Sequence, residues 1–281
     1  EMRRCVADNK HGPRRFLQGK VFGVRPVQNG SAVVEVSRGT LRVMIPAEDF
    51  FYFSLMKGIE ENDATTRQRR YLRKAKLMNG AIINFCPYME AKSEDGEVVF
   101  AGSRQDAMQL QRNRHFFGRN ADVQNGSRAI ASILSSGPDY VIAEALGVET
   151  SIGAGALSAY EYIDDVSKKF HVGEGIPVVI EDLNVDNENG TVSMRMNRAI
   201  LERRANPAMN IHSLARGGAY GATVTSVNDR FYRLIVDAGN IQARVALTAS
   251  DELLTRGDRV TLLVYGYDDK RNYVWGACHK A

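Results

Sequence analysis

The chain has few cysteines and no long apolar run. Its 281 residues include three cysteines, Cys5, Cys86 and Cys278. Three is an odd number and they share no short spacing, so the sequence suggests neither a disulfide framework nor a zinc site. We expect three reduced thiols in a reducing compartment. No apolar stretch approaches the roughly 18 residues of a membrane-spanning helix, and no secretory leader is visible at the start, so we expect a cytoplasmic protein without a membrane partner.

Motifs for catalysis and cofactor binding are also missing. The sequence has no G-x-x-x-x-G-K-[ST] phosphate loop and no H-E-x-x-H pair. Its one glycine cluster, IGAGALS from Ile152, lacks the third glycine of a dinucleotide fingerprint. The histidines stand apart, without a second ligand at metal-binding spacing; they are His11, His115, His171, His212 and His279. We therefore expect a protein that is not an enzyme and has no catalytic residues, cofactor or metal.

What the chain does have is an uneven charge distribution under a net charge of only +4. Residues 1–120 hold 21 Lys and Arg against 13 Asp and Glu, a net of +8. Residues 121–199 hold 5 against 12, a net of −7, and residues 200–281 hold 11 against 8, a net of +3. Blocks of opposite sign indicate that the parts of the chain have different partners or contact one another.

Three segments follow one plan. Each opens with a glycine and a short alternating run: GKVFGVRPV at Gly19, GSRAIASIL at Gly126 and GATVTSVND at Gly221. Two further apolar strands follow, and then a second hairpin, as in the run from His171 to Arg198 with its turn at Asp186. Asn, Asp and Gly in such turns tolerate positive φ. Five short strands per segment without a βαβ rhythm predict small closed barrels.

The second and third segments resemble the S-one RNA-binding domain family, whose fold is an OB barrel. The resemblance is carried by VETSIGAGALS from Val148, FHVGEGIPVVIEDLNVDNENGTVSMRMN from Phe170 and LLTRGDRVTLLVYGYDDKRNYVWGA from Leu253. The first segment matches more loosely. The resulting fold class is all-β, three tandem five-stranded OB-type barrels with short helices in the loops. The expected domains are a basic arm at 1–18, a first barrel with a basic helical insertion at 19–117, an acidic second barrel at 118–206 and a third barrel at 207–281.

The resemblance implies binding of single-stranded RNA, with aromatic side chains on the second and third strands stacking on bases. The third segment offers Tyr232 between Arg230 and Arg233, and the second offers Tyr140. The first has no aromatic residue there and departs from the family pattern. Because Phe231 and Tyr232 are adjacent on a strand, they face opposite sides, and we expect Tyr232 to face outward. We expect Trp275 to lie in the core.

The most basic stretch is RQRRYLRKAK, predicted to be a helix beginning near Ala64. Arg69, Arg73 and Lys76 would then line one face. The stretch is interpreted as a grip on nucleic-acid phosphates, which gives affinity without sequence choice. A solvated helix, or one paired with the acidic second segment, explains it equally well. Its candidate binding residues are Arg67, Arg69, Arg70, Arg73, Lys74 and Lys76.

Two functions follow from the sequence. The first is a non-catalytic protein of tandem OB barrels that binds single-stranded nucleic acid, with RNA preferred over DNA. The second is a structural or assembly protein, such as a virion component or a ring subunit, in which OB barrels are packing modules and the charge blocks join copies into a homo-oligomer. That alternative would place the protein in a virion.

Overall fold

The computed structural model describes residues 1–12, 14–27, 31–51, 64–92, 96–118, 121–159, 163–205, 210–227, 230–247, 253–269 and 272–281. These residues divide into two compact units. Unit 1 comprises Glu1–Gly153 and Asp165–Asn197, and unit 2 comprises Ala154–Asp164 and Arg198–Ala281.

The first sheet of unit 1 is a closed five-stranded barrel. Its strands are β1 (Leu17–Pro26), β2 (Ala32–Arg38), β3 (Leu41–Pro46), β4 (Ile82–Lys92) and β5 (Val98–Ser103). Their order around the barrel is β1-β2-β3-β5-β4, with β3 and β5 parallel and β4 returning to β1. The tight β2–β3 connection uses Gly39 at φ +59°, a conformation that side chains with a Cβ rarely adopt. Inward positions of β2 alternate Ala32, Val34 and Val36, all fully buried.

The second sheet of unit 1 has the same strand neighbours. Its strands are β6 (Arg128–Ser136), β7 (Tyr140–Ala145), β8 (Val148–Gly153), β9 (Gly175–Asp186) and β10 (Thr191–Asn197). The order is β10-β9-β6-β7-β8, which is the first barrel's order opened between its third and fifth strands. Strands β8 and β10 nevertheless lie in contact.

Unit 2 is built on a second closed barrel. Its strands are β11 (Ala219–Val227), β12 (Phe231–Val236), β13 (Ile241–Ala246), β14 (Arg259–Asp268) and β15 (Tyr273–Lys280). The order β11-β12-β13-β15-β14 repeats the first barrel, including the parallel third and fifth strands. The predicted class of tandem five-stranded OB-type barrels with short helices in the loops is therefore confirmed.

The helices lie between and before these strands. They are α1 (Met2–His11), α2 (Ala47–Phe50), α3 (Ala64–Leu77), α4 (Arg104–Arg112), α5 (Ala154–Leu157), α6 (Val166–Lys169) and α7 (Ala199–Ala205). A π-helical turn, Asn113–Phe117, extends α4, and a 3-10 turn covers Ile211–Ser213. The helix expected near Ala64 is confirmed as α3.

The amino-terminal residues do not form the basic arm expected over 1–18. Helix α1 packs on β4 because Met2, Cys5 and Val6, spaced three and four residues apart, form one apolar face, and all three are buried. The Arg3 guanidinium donates two hydrogen bonds to Glu90 on β4, at 2.9 and 2.8 Å. Arg3, Arg4 and Lys10 of this segment therefore lie on a docked helix.

Each unit has a hydrophobic core made of its own residues. In unit 1 the first barrel packs Val34, Ile45, Phe85 and Phe100 inside. In unit 2 all five strands contribute buried apolar side chains to the barrel interior. No helix in the described part of the chain is long and apolar enough to cross a membrane.

Candidate nucleic-acid interface

The outer side of the unit 2 barrel presents arginines and aromatic rings together. Cross-strand register aligns Arg233 on β12 with Arg244 on β13, and Arg244 with Trp275 on β15. All three share the outward face because side chains alternate along each strand. We call this surface the aromatic face; it comprises Phe231, Arg233, Arg244, Tyr265, Tyr273 and Trp275.

Tyr232 lies in the barrel core, so the expectation that it faces outward is wrong. It is 1% exposed, while its neighbour Phe231 is half-buried on the outer side. The Tyr232 hydroxyl accepts a hydrogen bond from the backbone N–H of Leu254 at 3.3 Å. A buried tyrosine is stable where its hydroxyl finds such a partner, and this contact removes the reason for preferring phenylalanine inside.

Arg244 lies between two aromatic rings. Its guanidinium carbon is 5.0 Å from the ring centroid of Phe231 and 4.3 Å from that of Tyr273. Arg233 lies on the same Phe231 ring at 5.6 Å. These cation–π contacts hold the planar guanidinium groups at the surface in a fixed orientation, while the cations keep their charge.

Trp275 is exposed on the aromatic face, so the expectation of a core position is also wrong. Its exposed fraction is 47%, and that of Tyr265 is 50%. The two rings meet edge to face with centroids 6.1 Å apart. The indole lies over Gly266, where an added Cβ would come within 2.8 Å of the ring. The glycine therefore permits a large, flat, exposed ring beside the arginines.

The electrostatics of the aromatic face favour anions. Across the described ranges, no carboxylate lies within ion-pair distance of Arg233 or Arg244. Arg230 sits exposed at the turn before β12, and its carbonyl accepts a hydrogen bond from Leu247 N–H at 3.1 Å. Positive side chains and exposed π-faces on one barrel surface are the two elements of single-strand recognition.

Helix α3 forms a separate basic surface in unit 1. Tyr71 and Ala75 face the core, and Tyr71 stacks on Phe51 with ring centroids 5.7 Å apart. The opposite face presents Arg69, Arg73 and Lys76 to solvent, as the helical spacing predicts. The other candidates on this helix are half-buried, and burial lowers the pKa of Lys74; they are Arg67, Arg70 and Lys74.

Tyr140 lies in different surroundings from the aromatic face. It begins β7, is 48% exposed and lines a cleft with Asp139, Ile142 and Glu149. Further along the same side of β7, Glu144 is buried under helix α4. This side of the second sheet is thus acidic at one end and occupied by protein at the other.

Sequence reasoning missed Arg244, Tyr273 and the outward position of Trp275. A signal for Arg244 was available: on β13 the apolar Ile241, Ala243 and Val245 alternate with Gln242 and Arg244, which places Arg244 outside. The alignment of Arg233, Arg244 and Trp275 across three strands could not be predicted from the sequence, because it depends on the parallel pairing of β13 with β15.

Comparison with known proteins identifies no family. No protein-family model and no curated protein matches this chain. Among solved structures, similar chains include a multidomain protein with nucleic acid binding domains from Streptococcus pneumoniae, at 10% identity and TM-score 0.23 over 93% of this chain and 72% of that one. Another is the Ifi202 HINa domain in complex with 20-bp dsDNA, at 10% identity and TM-score 0.20 over 95% and 97%.

A third similar structure is the Drosophila Unr CSD456 chain, at 10% identity and TM-score 0.19 over 55% of this chain and 61% of that one. Identities and TM-scores this low carry no conclusion about what this chain binds. The described residues also contain no cluster of three or more side chains able to hold a metal ion.

Proposed function

We propose that this protein binds single-stranded nucleic acid, with RNA preferred, on the aromatic face of unit 2, and that it acts by binding rather than catalysis. The observation that carries the proposal is Arg244, held between the Phe231 and Tyr273 rings next to the exposed Trp275. The resemblance of the segments to the S-one RNA-binding family supports the preference for RNA.

The chemistry of the face fits an unpaired strand. Trp275 and Tyr265 expose flat rings on which bases can stack, and every base has a π-face. Bases of a duplex already stack on one another, so these rings favour a strand whose bases are free. Arg233 and Arg244 lie alongside to contact phosphates, which gives affinity that falls as salt rises.

Helix α3 would add phosphate contacts without reading sequence. Arg69, Arg73 and Lys76 point to solvent on one face of a helix whose other face is anchored by Tyr71 and Ala75. Such contacts position a strand and raise affinity for any sequence. The proposal therefore assigns stacking to unit 2 and additional charge to unit 1.

The test uses the one tryptophan of the chain as its reporter. Unlabelled single-stranded RNA is titrated into the full chain while Trp275 fluorescence is followed, and anisotropy of labelled RNA, DNA and duplex gives the Kd values. We expect quenching on saturation with RNA and weaker binding of duplex. Trp275→Ala should weaken RNA binding about 5- to 150-fold, the range measured for loss of one stacked base.

The matched control is Phe22→Ala, which removes a 39%-exposed aromatic side chain from the first barrel and should leave the Kd unchanged. Equal Kd values for both variants, or saturation without quenching, would contradict the proposal. Light scattering on the same sample tests the assembly alternative, which predicts a large particle free of nucleic acid.

A further inference from the structure

A cleft of about 370 Å³ lies within unit 2 at one end of the aromatic face. One wall is the β12–β13 pair with Arg233 and Arg244. The opposite wall is a run of small side chains from α5 and the residues after it, including Ala154, Gly155 and Ser158. Arg256, Thr225 and Gln242 also line the cleft, so three arginines and two uncharged polar residues surround one space.

The aromatic face ends at this cleft. By strand alternation Ile235 points outward like Phe231 and Arg233, yet it is only 8% exposed and lines the cleft with Ala154 and Gly155. A nucleic-acid strand that runs along the aromatic face toward Ile235 is therefore blocked by the residues of the cleft. The volume lies near the lower end of the roughly 300–1,000 Å³ typical of small-ligand pockets, which is enough for one nucleotide and too little for a continuing chain.

The small-residue wall is fixed in place. The Glu202 carboxylate accepts hydrogen bonds from Ser158 Oγ at 2.8 Å and from the backbone N–H of Ala159 at 2.7 Å. It also accepts a hydrogen bond from Arg198, whose guanidinium donates as well to the Leu157 carbonyl at 2.7 Å. The Glu202 carboxylate therefore stabilises the small-residue wall of the cleft.

We infer that the cleft binds the terminal nucleotide of the strand through a terminal phosphate monoester. A monoester carries about −1.5 to −2 charges at neutral pH, more than the single charge of an internal phosphodiester. Arginine pairs with phosphate through two parallel N–H···O bonds, and Arg233, Arg244 and Arg256 line the site together. The inference rests on the proposed function and adds to it a preference for strand ends.

The experiment compares four RNAs of one sequence: hydroxyl at both ends, 5′-phosphate, 3′-phosphate, and a ligated circle. Each is titrated into the full-length protein with Trp275 fluorescence and anisotropy as readouts. We expect one phosphorylated end to lower the Kd about tenfold relative to the hydroxyl-ended RNA, as for an added charge-assisted hydrogen bond. We expect the circle to bind no better than the hydroxyl-ended RNA.

A variant confirms the location. A Cβ added at Gly155 meets no atom within 4 Å, so Gly155→Glu should fold while it adds a carboxylate to the cleft. The expected result is loss of the tenfold preference for a phosphorylated end, while the hydroxyl-ended RNA still binds and quenches Trp275. Gly153→Glu is the control: its Cβ is equally unobstructed and it does not line this cleft.

Equal binding of all four RNAs would overturn the end-binding inference and leave the proposed function standing. A phosphate preference that survives in Gly155→Glu would overturn the assignment to this cleft. Absence of any RNA binding or quenching would instead contradict the proposed function itself.

Discussion

Arg104 joins the two sheets of unit 1 through a buried charge network. Its side chain has no exposed surface, and its guanidinium donates hydrogen bonds to Glu144 on β7 and Glu149 on β8. It also donates to the Phe50 carbonyl at 3.0 Å and lies 5.3 Å from the Phe50 ring centroid. A buried charge without a partner costs several kcal/mol, so loss of either Arg104 or its carboxylate partners should destabilise unit 1.

We expect Arg104→Ala to lower the free energy of unfolding of unit 1 by about 3–5 kcal/mol, because it leaves two carboxylates buried without their cation. Burial raises the pKa of Glu144, and Arg104 opposes that rise. Removing Arg104 raises this pKa further, and a carboxyl with a raised folded pKa binds its proton more tightly when folded. The loss is therefore largest at neutral pH and shrinks as the pH falls through the raised pKa.

Urea unfolding of the full chain at a series of pH values measures this effect. Arg3→Ala is the control, since it removes an arginine from an exposed ion pair with Glu90 and should change stability far less. A loss for Arg104→Ala that is the same at every pH would contradict the assignment to Glu144.

The residues of the candidate interface show where sequence reading stops. Alternation alone shows that Phe231 and Tyr232 face opposite sides, but not which side each takes. That choice depends on the Leu254 N–H inside the barrel, which comes from a distant loop. Trp275 likewise faces out because Gly266 on the neighbouring strand leaves room for the ring, a pairing set by a β-bulge between Val264 and Gly266.

At the scale of elements, the barrels were predictable and the docked amino-terminal helix was not. Strand runs rich in Val and Ile, with glycine and Asn/Asp turns between them, repeat three times and predict one topology. Helix α1 has only Met2, Cys5 and Val6 as its apolar face among charged residues, which is too short a pattern to separate from a loop. Its helical state depends on the surface of β4, which the sequence pattern does not reveal.

Helix α3 carries the prediction at this scale. Arg69→Glu with Arg73→Glu changes two exposed positions and should weaken RNA binding at physiological salt. For single strands, each phosphate contact contributes about −0.7 to the slope of log K against log salt concentration. Loss of two contacts should therefore reduce the magnitude of this slope by about 1.4. The matched control, Lys168→Glu with Lys169→Glu on α6, makes the same charge change on an exposed helix of the acidic segment.

Anisotropy titrations at four salt concentrations give both slopes. The interpretation of α3 as a phosphate-binding helix requires the α3 pair to lower the slope more than the α6 pair does. Equal slopes for the two pairs would leave α3 as a solvated helix, the other explanation of its charge.

At the scale of the whole molecule, the charge blocks and the compact units do not coincide. The basic first barrel and the acidic second sheet belong to one unit, and Arg104 on α4 pairs across them with Glu144 and Glu149. Some of the opposite charges of these two blocks thus form ion pairs within unit 1. The mildly basic block 200–281 lies in unit 2, where the arginines of the aromatic face have cation–π rather than carboxylate contacts among the described residues.

This organisation predicts two cooperative unfolding transitions rather than three, because each unit has its own core and the two sheets of unit 1 share a buried ion network. Differential scanning calorimetry of the full chain should resolve them. Arg104→Ala should lower the Tm of one transition by about 6–20 °C. Tyr232→Ala, which empties a core position of unit 2, should lower the Tm of the other by at least about 12 °C. A third transition, or equal shifts of both transitions by either variant, would contradict this division, because each substitution removes contacts within only one unit.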